Sequence, residues 1–304
     1  MVDGGRTRLR TVTRKQRGKG KKKTQRRRYK VTWREPKLLI LFEMDEQGRM
    51  KAGTRPWIDG TFNGPDEAME LLAFHLHRLG ASQAEVVAFV SDGAPWIWDR
   101  LEWVERRVGL KALQAVRVLD WCHAVHHISL ALEALGLADV ERRRLFKKMR
   151  RWLRWGHCGK LLQTLQQLRK KRRWPAALKQ PLAYLRKHMA AGHMNYGLFR
   201  RRGLPVGSGA VESAIRRVIN LRLKGPGLMW REENAEGALV LRAAAVTDRW
   251  EETLAHVREE MGRDRQLDWD WQSPDMPAQL KAKVPIKPPV TQPPRKQGNQ
   301  EAAA

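Results

Sequence analysis

Val86-Val87-Ala88-Phe89-Val90-Ser91-Asp92-Gly93-Ala94-Pro95 is the stretch on which the fold turns. A short apolar run bounded by turn residues reads as a buried strand. It ends on a carboxylate, Asp92, just before a helix that Pro95 is suited to open. The plan recurs downstream. A helix over roughly Pro95 to Val108 is closed by Gly109, and Val116 to Leu119 forms a second strand ending on Asp120. Upstream, Lys37 to Met44 reads as a buried strand, Asp45 to Gly48 as a turn, and Arg49 towards Trp57 as the returning strand. Pro65 to Gly80 is an amphipathic helix with Pro and acids at its start. Hairpin strands followed by helix-linked strands predict an α/β chain with a mixed sheet. In such sheets the chemistry sits at the strand ends.

Beyond Asp120 the pattern is helical from His123 to about His193. A Gly-rich turn, Gly203 to Gly209, then precedes a helix bearing Glu212, and helices continue to Met261. After Arg263 the chain becomes Pro-rich and aperiodic, so a disordered tail is expected over 263–304, with one domain over 1–262. At the other end, residues 1–30 carry fourteen Lys or Arg and a single acid, Asp3. Arg14 to Arg28 reads as a disordered basic arm or exposed loop, with order returning at Trp33. No internal repeat is present.

Lys and Arg number 60 against 32 acids, a net charge of +28, so a polyanion is the expected partner. No apolar run is long enough to cross a membrane and no signal-peptide pattern follows the basic start, which predicts a soluble cytoplasmic protein. The two cysteines, Cys122 and Cys158, make no disulfide framework and read as small buried apolar residues.

Phosphodiester cleavage requires a nucleophilic water, a stabilised leaving oxygen and neutralised phosphate charge, and two Mg²⁺ ions can supply all three. Mg²⁺ takes hard oxygen ligands, commonly a few carboxylates with waters and phosphates. Five words carry such acids in order. They are Val2-Asp3-Gly4-Gly5-Arg6, Trp33-Arg34-Glu35-Pro36-Lys37, Ser91-Asp92-Gly93-Ala94-Pro95-Trp96-Ile97-Trp98, Asp120-Trp121-Cys122-His123 and Gly207-Ser208-Gly209-Ala210-Val211-Glu212-Ser213. As an ordered set they resemble the DDE transposases of bacterial insertion sequences, most closely the ISKra-type group, with a more distant likeness to eukaryotic Mutator-like elements. Arg222-Leu223-Lys224 to Gly227, Trp230, and Ala235-Glu236-Gly237-Ala238 extend the similarity, which covers roughly residues 1–262.

The resemblance implies an RNase H-like mixed sheet core, with a helical insertion (about 130–200) before the last catalytic carboxylate. It implies that Asp3, Asp92 and Glu212 are the catalytic acids and hold two Mg²⁺ ions, with Mn²⁺ as a substitute. The intervals are 89 and 120 residues, the second too long for a simple strand-helix connection. A supporting role for Asp120 and His123 is also implied, as is synapsis of DNA ends by a homo-oligomer. The separate DNA-recognition region of those transposases is expected to be missing here. Arg222, Lys224, Arg14, Lys15, Trp152 and Trp155 are the expected DNA contacts.

Each residue also has a plainer reading. Asp3 before Gly4 suits a turn, and Asp59 in Trp57-Ile58-Asp59-Gly60 rivals it as the first acid. Asp92 and Asp120 suit helix caps, and Glu212 suits a helix start. Trp152, Trp155 and Trp174 lie among basic residues, where stacking on bases and an apolar core stripe look alike. Core is the better reading for these three, as for Trp96 and Trp98. Cys122, His126, His157 and Cys158 match no known zinc spacing. Ser208 and Ser213 lack the partners of a serine nucleophile. Three functions stay open: a DDE transposase that cleaves DNA ends and transfers strands, an inactive or repurposed remnant that binds DNA, and another RNase H-like nuclease.

Overall fold

The computed structural model describes residues 1–12, 29–170 and 176–270. The expected basic arm with Arg14 and Lys15, and also Trp174 and residues 271–304, lie outside the described residues. The chain divides into two compact units, Met1–Thr253 and Leu254–Ala304.

The first unit begins with strand β1 (Val2–Gly4), which pairs antiparallel with β4 (Lys37–Leu41), Asp3 facing Leu38. On its other edge β4 pairs antiparallel with β5 (Trp57–Thr61). Every residue of β4 is buried, and its alternation explains why. Leu39 and Leu41 enter one core with Leu72, Val90 and Ile128, while Leu38 and Ile40 enter a second with Ile58, Val211, Val218 and Leu239. Period-two side chains thus give this strand an apolar layer on each face.

Two more strands, β6 (Val87–Ser91) and β7 (Ala115–Leu119), pair in parallel, Ser91 facing Leu119. Helices α2 (Pro95–Trp98) and α3 (Leu101–Val108) connect them. β1 lies beside β6. The expected helix over Pro95 to Val108 is therefore broken. Arg100 interrupts it, donating to Trp96 O at 3.1 Å and to Asp66 Oδ1 of α1 (Pro65–Arg78) at 2.6 Å.

The returning strand also begins later than its sequence predicts. The Asp45 turn forms, with the amides of Gln47 and Arg49 donating to Asp45 Oδ1 at 2.9 Å each, but only a single bridge, Met44 to Met50, follows. Thr54 turns the chain back on Lys51, and Pro56 lacks an amide, so pairing resumes only at Trp57. Order also returns before Trp33. Strand β2 (Thr7–Val12) pairs with β3 (Tyr29–Arg34) as an antiparallel ribbon, which the basic composition hid.

Helices α4 (Trp121–Ala134), α5 (Asp139–Arg154), α6 (Cys158–Lys170), α7 (Ala176–Ala190) and α8 (Tyr196–Arg201) occupy the expected insertion. Met149, Leu153, Leu165, Leu178 and Leu185 belong to the same core as Val90 and Leu119. These helices thus share one core with the sheet rather than packing apart from it. Of the cysteines, Cys158 is buried, whereas Cys122 is exposed because α4 turns Ala124 and Ile128 inward instead. Helices α9 (Gly209–Ile215) and α10 (Glu232–Val246) cover the second core, with a π-helical turn at Arg216–Asn220 between them.

The last helix, α11 (Trp250–Asp270), carries the chain into the second unit and runs past Arg263, where order was expected to end. Arg263 itself pairs with Glu259 and Glu260, one turn back. No described helix is long and apolar enough to cross a membrane.

Candidate active site

Asp3 sits on β1 with its Oδ1 accepting from the Gly4 amide at 2.7 Å. The two glycines that follow it lie close against other side chains, Gly5 against a buried one. A Cβ on Gly4 would run into the Glu35 carboxylate, and one on Gly5 into Ile219. Glu35 in turn accepts from Lys37 Nζ, whose ammonium lies 4.4 Å from the centre of the Trp96 ring. Three of the quoted sequence words therefore meet through one chain of contacts.

Asp92 follows directly on β6, and its Oδ1 accepts from Ala94 N at 2.9 Å and from Ser91 Oγ at 3.2 Å. Gly93 holds φ +84, and an added Cβ would lie 2.5 Å from the Tyr184 hydroxyl. That hydroxyl, on α7 of the insertion, donates to Asp92 O at 2.5 Å. Tyr184 is itself stacked on His127 of α4, ring centres 3.6 Å apart. Sequence gave no warning of Tyr184, because it lies 92 residues away in a helix chosen only by amphipathic pattern.

Asp120, at the end of β7, is 1% exposed and uses both oxygens. Oδ1 accepts from Ser208 N at 2.6 Å, and Oδ2 accepts from His123 N and His123 Nδ1, both at 2.9 Å. The helix-cap and supporting roles are thus one arrangement. Burial works to raise the Asp120 carboxyl, but these hydrogen bonds outweigh it and leave it below the ordinary value. The same bond raises His123 above its usual range, against the effect of burial. With Nδ1–H committed to Asp120, the Nε2 of His123 is free to face the other acids.

By taking the Ser208 amide, Asp120 also pins the Gly-Ser-Gly turn that starts α9. Glu212 lies one turn further on, and Ser208 Oγ donates to its Oε1 at 3.4 Å. The convergence shows in the Asp3 carboxyl. It is raised to about 6, chiefly by burial, with Asp92 and Glu212 adding to the rise and the Gly4 amide and His123 opposing it. Asp59, the rival first acid, is absent from that field. It lies on β5 with Oδ2 2.7 Å from His75 Nε2.

Asp120, His123 and Glu212 are thus linked through Ser208, an acidic patch in a basic protein. A divalent cation there would replace mutual repulsion with attraction, and hard oxygen donors suit Mg²⁺ or Mn²⁺. Among the described residues no three His, Cys, Asp or Glu side chains are grouped as a ready-made metal cage.

Compared with known proteins, the chain matches no family model, no curated protein and no solved structure.

The expected DNA contacts divide. Arg222 and Lys224 are exposed just after the π-helical turn. Leu223 between them is buried, its carbonyl taking hydrogen bonds from Thr7 Oγ1 and Trp230 Nε1. Trp152 packs against the core with Lys148 over its ring, whereas Trp155 is 62% exposed. Trp96 and Trp98 belong to the core side of the sheet.

Proposed function

We propose that this chain is the catalytic part of a DDE transposase, which cleaves DNA at the ends of a mobile element and joins them to a target. One observation carries the proposal: β1 with Asp3 lies beside β6, which Asp92 directly follows, while Asp120 bonds the Ser208 amide at the turn that leads to Glu212. The antiparallel β5-β4-β1 sheet and the parallel β6-β7 pair beside β1 are compatible with the mixed α/β core that this reading expects.

Asp3, Asp92 and Glu212 would hold two Mg²⁺ or Mn²⁺ ions. When bound, such a pair activates water or a 3′-hydroxyl and stabilises the departing oxygen. The remaining chemistry falls to the chain itself. Asp120 fixes His123 and the start of α9, so that Glu212 and the imidazole are held in a set orientation. Lys and Arg in excess draw in the phosphate backbone and offset its charge. DNA ends and target DNA are the partners, gathered by more than one copy of the chain.

The test is strand cleavage with Asp92→Asn. Wild type should nick DNA carrying the element's ends only with Mg²⁺ or Mn²⁺ present, while the variant binds that DNA normally and leaves it uncut. Normal cleavage by the variant rejects the assignment. Hairpin, junction and RNA–DNA hybrid substrates in parallel separate a transposase from another RNase H-like nuclease.

A further inference from the structure

The β2–β3 ribbon carries an exposed face that the carboxylate site does not use. Its register places Arg8 opposite Trp33 and Arg10 opposite Val31, so these four side chains share one face. Trp33 is 55% exposed, with Val31 and Arg10 also open to solvent, and the Arg8 guanidinium lies 5.8 Å from the Trp33 ring centre. The opposite face is anchored. Leu9 and Thr7 are buried, and β2 exchanges hydrogen bonds with Trp230 through Arg10 N and Arg8 O. The ribbon is therefore anchored to the core, with a basic and apolar face turned outward.

We propose that this face is a binding surface for double-stranded DNA, resting on the transposase reading for its purpose. Charge selects the occupant. A second copy of a chain of net charge +28 would bring like-charged ribbons together, whereas a duplex offers one phosphate per ~1.7 Å of axis. Shape agrees, since a two-stranded ribbon fits the major groove. Arg10 meets phosphate, Arg8 (held to Gly225 O at 3.2 Å) steadies the Trp33 ring, and Val31 and Trp33 lie against the groove. β2 follows β1 after only Gly5 and Arg6, so at most roughly 23 Å of chain, at ~3.3 Å per residue, separates Asp3 from Arg10. DNA on the ribbon thus lies within reach of the carboxylate site.

The test uses the full chain and a labelled duplex of arbitrary sequence, with fluorescence anisotropy read across a salt series. Arg10→Ala and Trp33→Ala are made separately, since both side chains are exposed and neither belongs to the carboxylate site. Each should weaken duplex binding by about three- to tenfold. Arg10→Ala should also lower the salt slope by about one, and Arg10→Lys should restore both. Circular dichroism checks each fold; should Trp33→Ala unfold, the arginine pair decides alone. Unchanged affinity and slope in the folded variants overturn the proposal. So does a wild-type preference for single-stranded DNA or RNA, or a loss of self-association in place of duplex binding. Catalysis does not enter. A chain that binds duplex through the ribbon yet never cuts DNA overturns the transposase reading and leaves the ribbon standing.

Discussion

Asp120 shows how much one side chain can be asked to do. It caps α4, orients His123 and holds the turn that opens α9, all from a buried position. Asp120→Ala strands the Ser208 amide and removes the cap, which should cost about 2–4 kcal/mol in urea unfolding. The His123 imidazole, now raised by that carboxylate, should fall towards its ordinary value in an NMR titration. The sign in wild type follows. A raised imidazole stabilises fully below its unfolded value and loses that contribution as pH rises through the folded one. Tyr184→Phe removes only the hydroxyl bonded to Asp92 O, so about 1 kcal/mol of stability is expected to go. If the carbonyl bond positions Asp92, cleavage should drop at unchanged DNA affinity; equal loss of both would mark a general packing defect.

At the scale of elements, helices α4 and α7 are joined to α2 by a largely half-buried ring cluster as well as by leucines. His188 and His193 lie against Trp98, and Tyr184 stacks on His127. Burial lowers His127, His188 and His193 to about 4, with neighbouring positive groups acting the same way. Unfolded, each imidazole titrates near 6.5, so protons bind the unfolded chain more tightly. Stability from this cluster is thus complete above about pH 6.5 and is lost as pH falls towards 4. The urea midpoint should fall between about pH 7 and about pH 5, and fall less in His188→Gln. A midpoint flat over that range would show that the three rings do not sit in a closed cluster. The elements misjudged from sequence share a cause. Thr7–Val12 and Tyr29–Arg34 look like solvated charge because their pairing spans residues 13–28, and the kink at Arg100 depends on Asp66 of another helix.

For the whole molecule, the single core that joins sheet and insertion predicts cooperative unfolding. Leu165→Ala, though within the insertion, should cost about 2–5 kcal/mol and shift one common transition seen by both far-ultraviolet dichroism and tryptophan fluorescence. Two separated transitions would mean that the insertion folds by itself.

What the sequence determined alone was whatever depends on neighbours in the chain. The strand-then-acid pattern at Val87–Asp92 and Ala115–Asp120, the amphipathic helices and the basic excess are all local properties. Hydrophobic periodicity and charge are written residue by residue. Tertiary structure decided which distant groups meet: β1 with Asp3 beside β6, Asp59 drawn aside by His75, and Tyr184 bonded to Asp92 O. Those outcomes depend on strand register and helix docking. Both are fixed by burying two apolar layers against β4, a quantity that no single stretch of sequence contains.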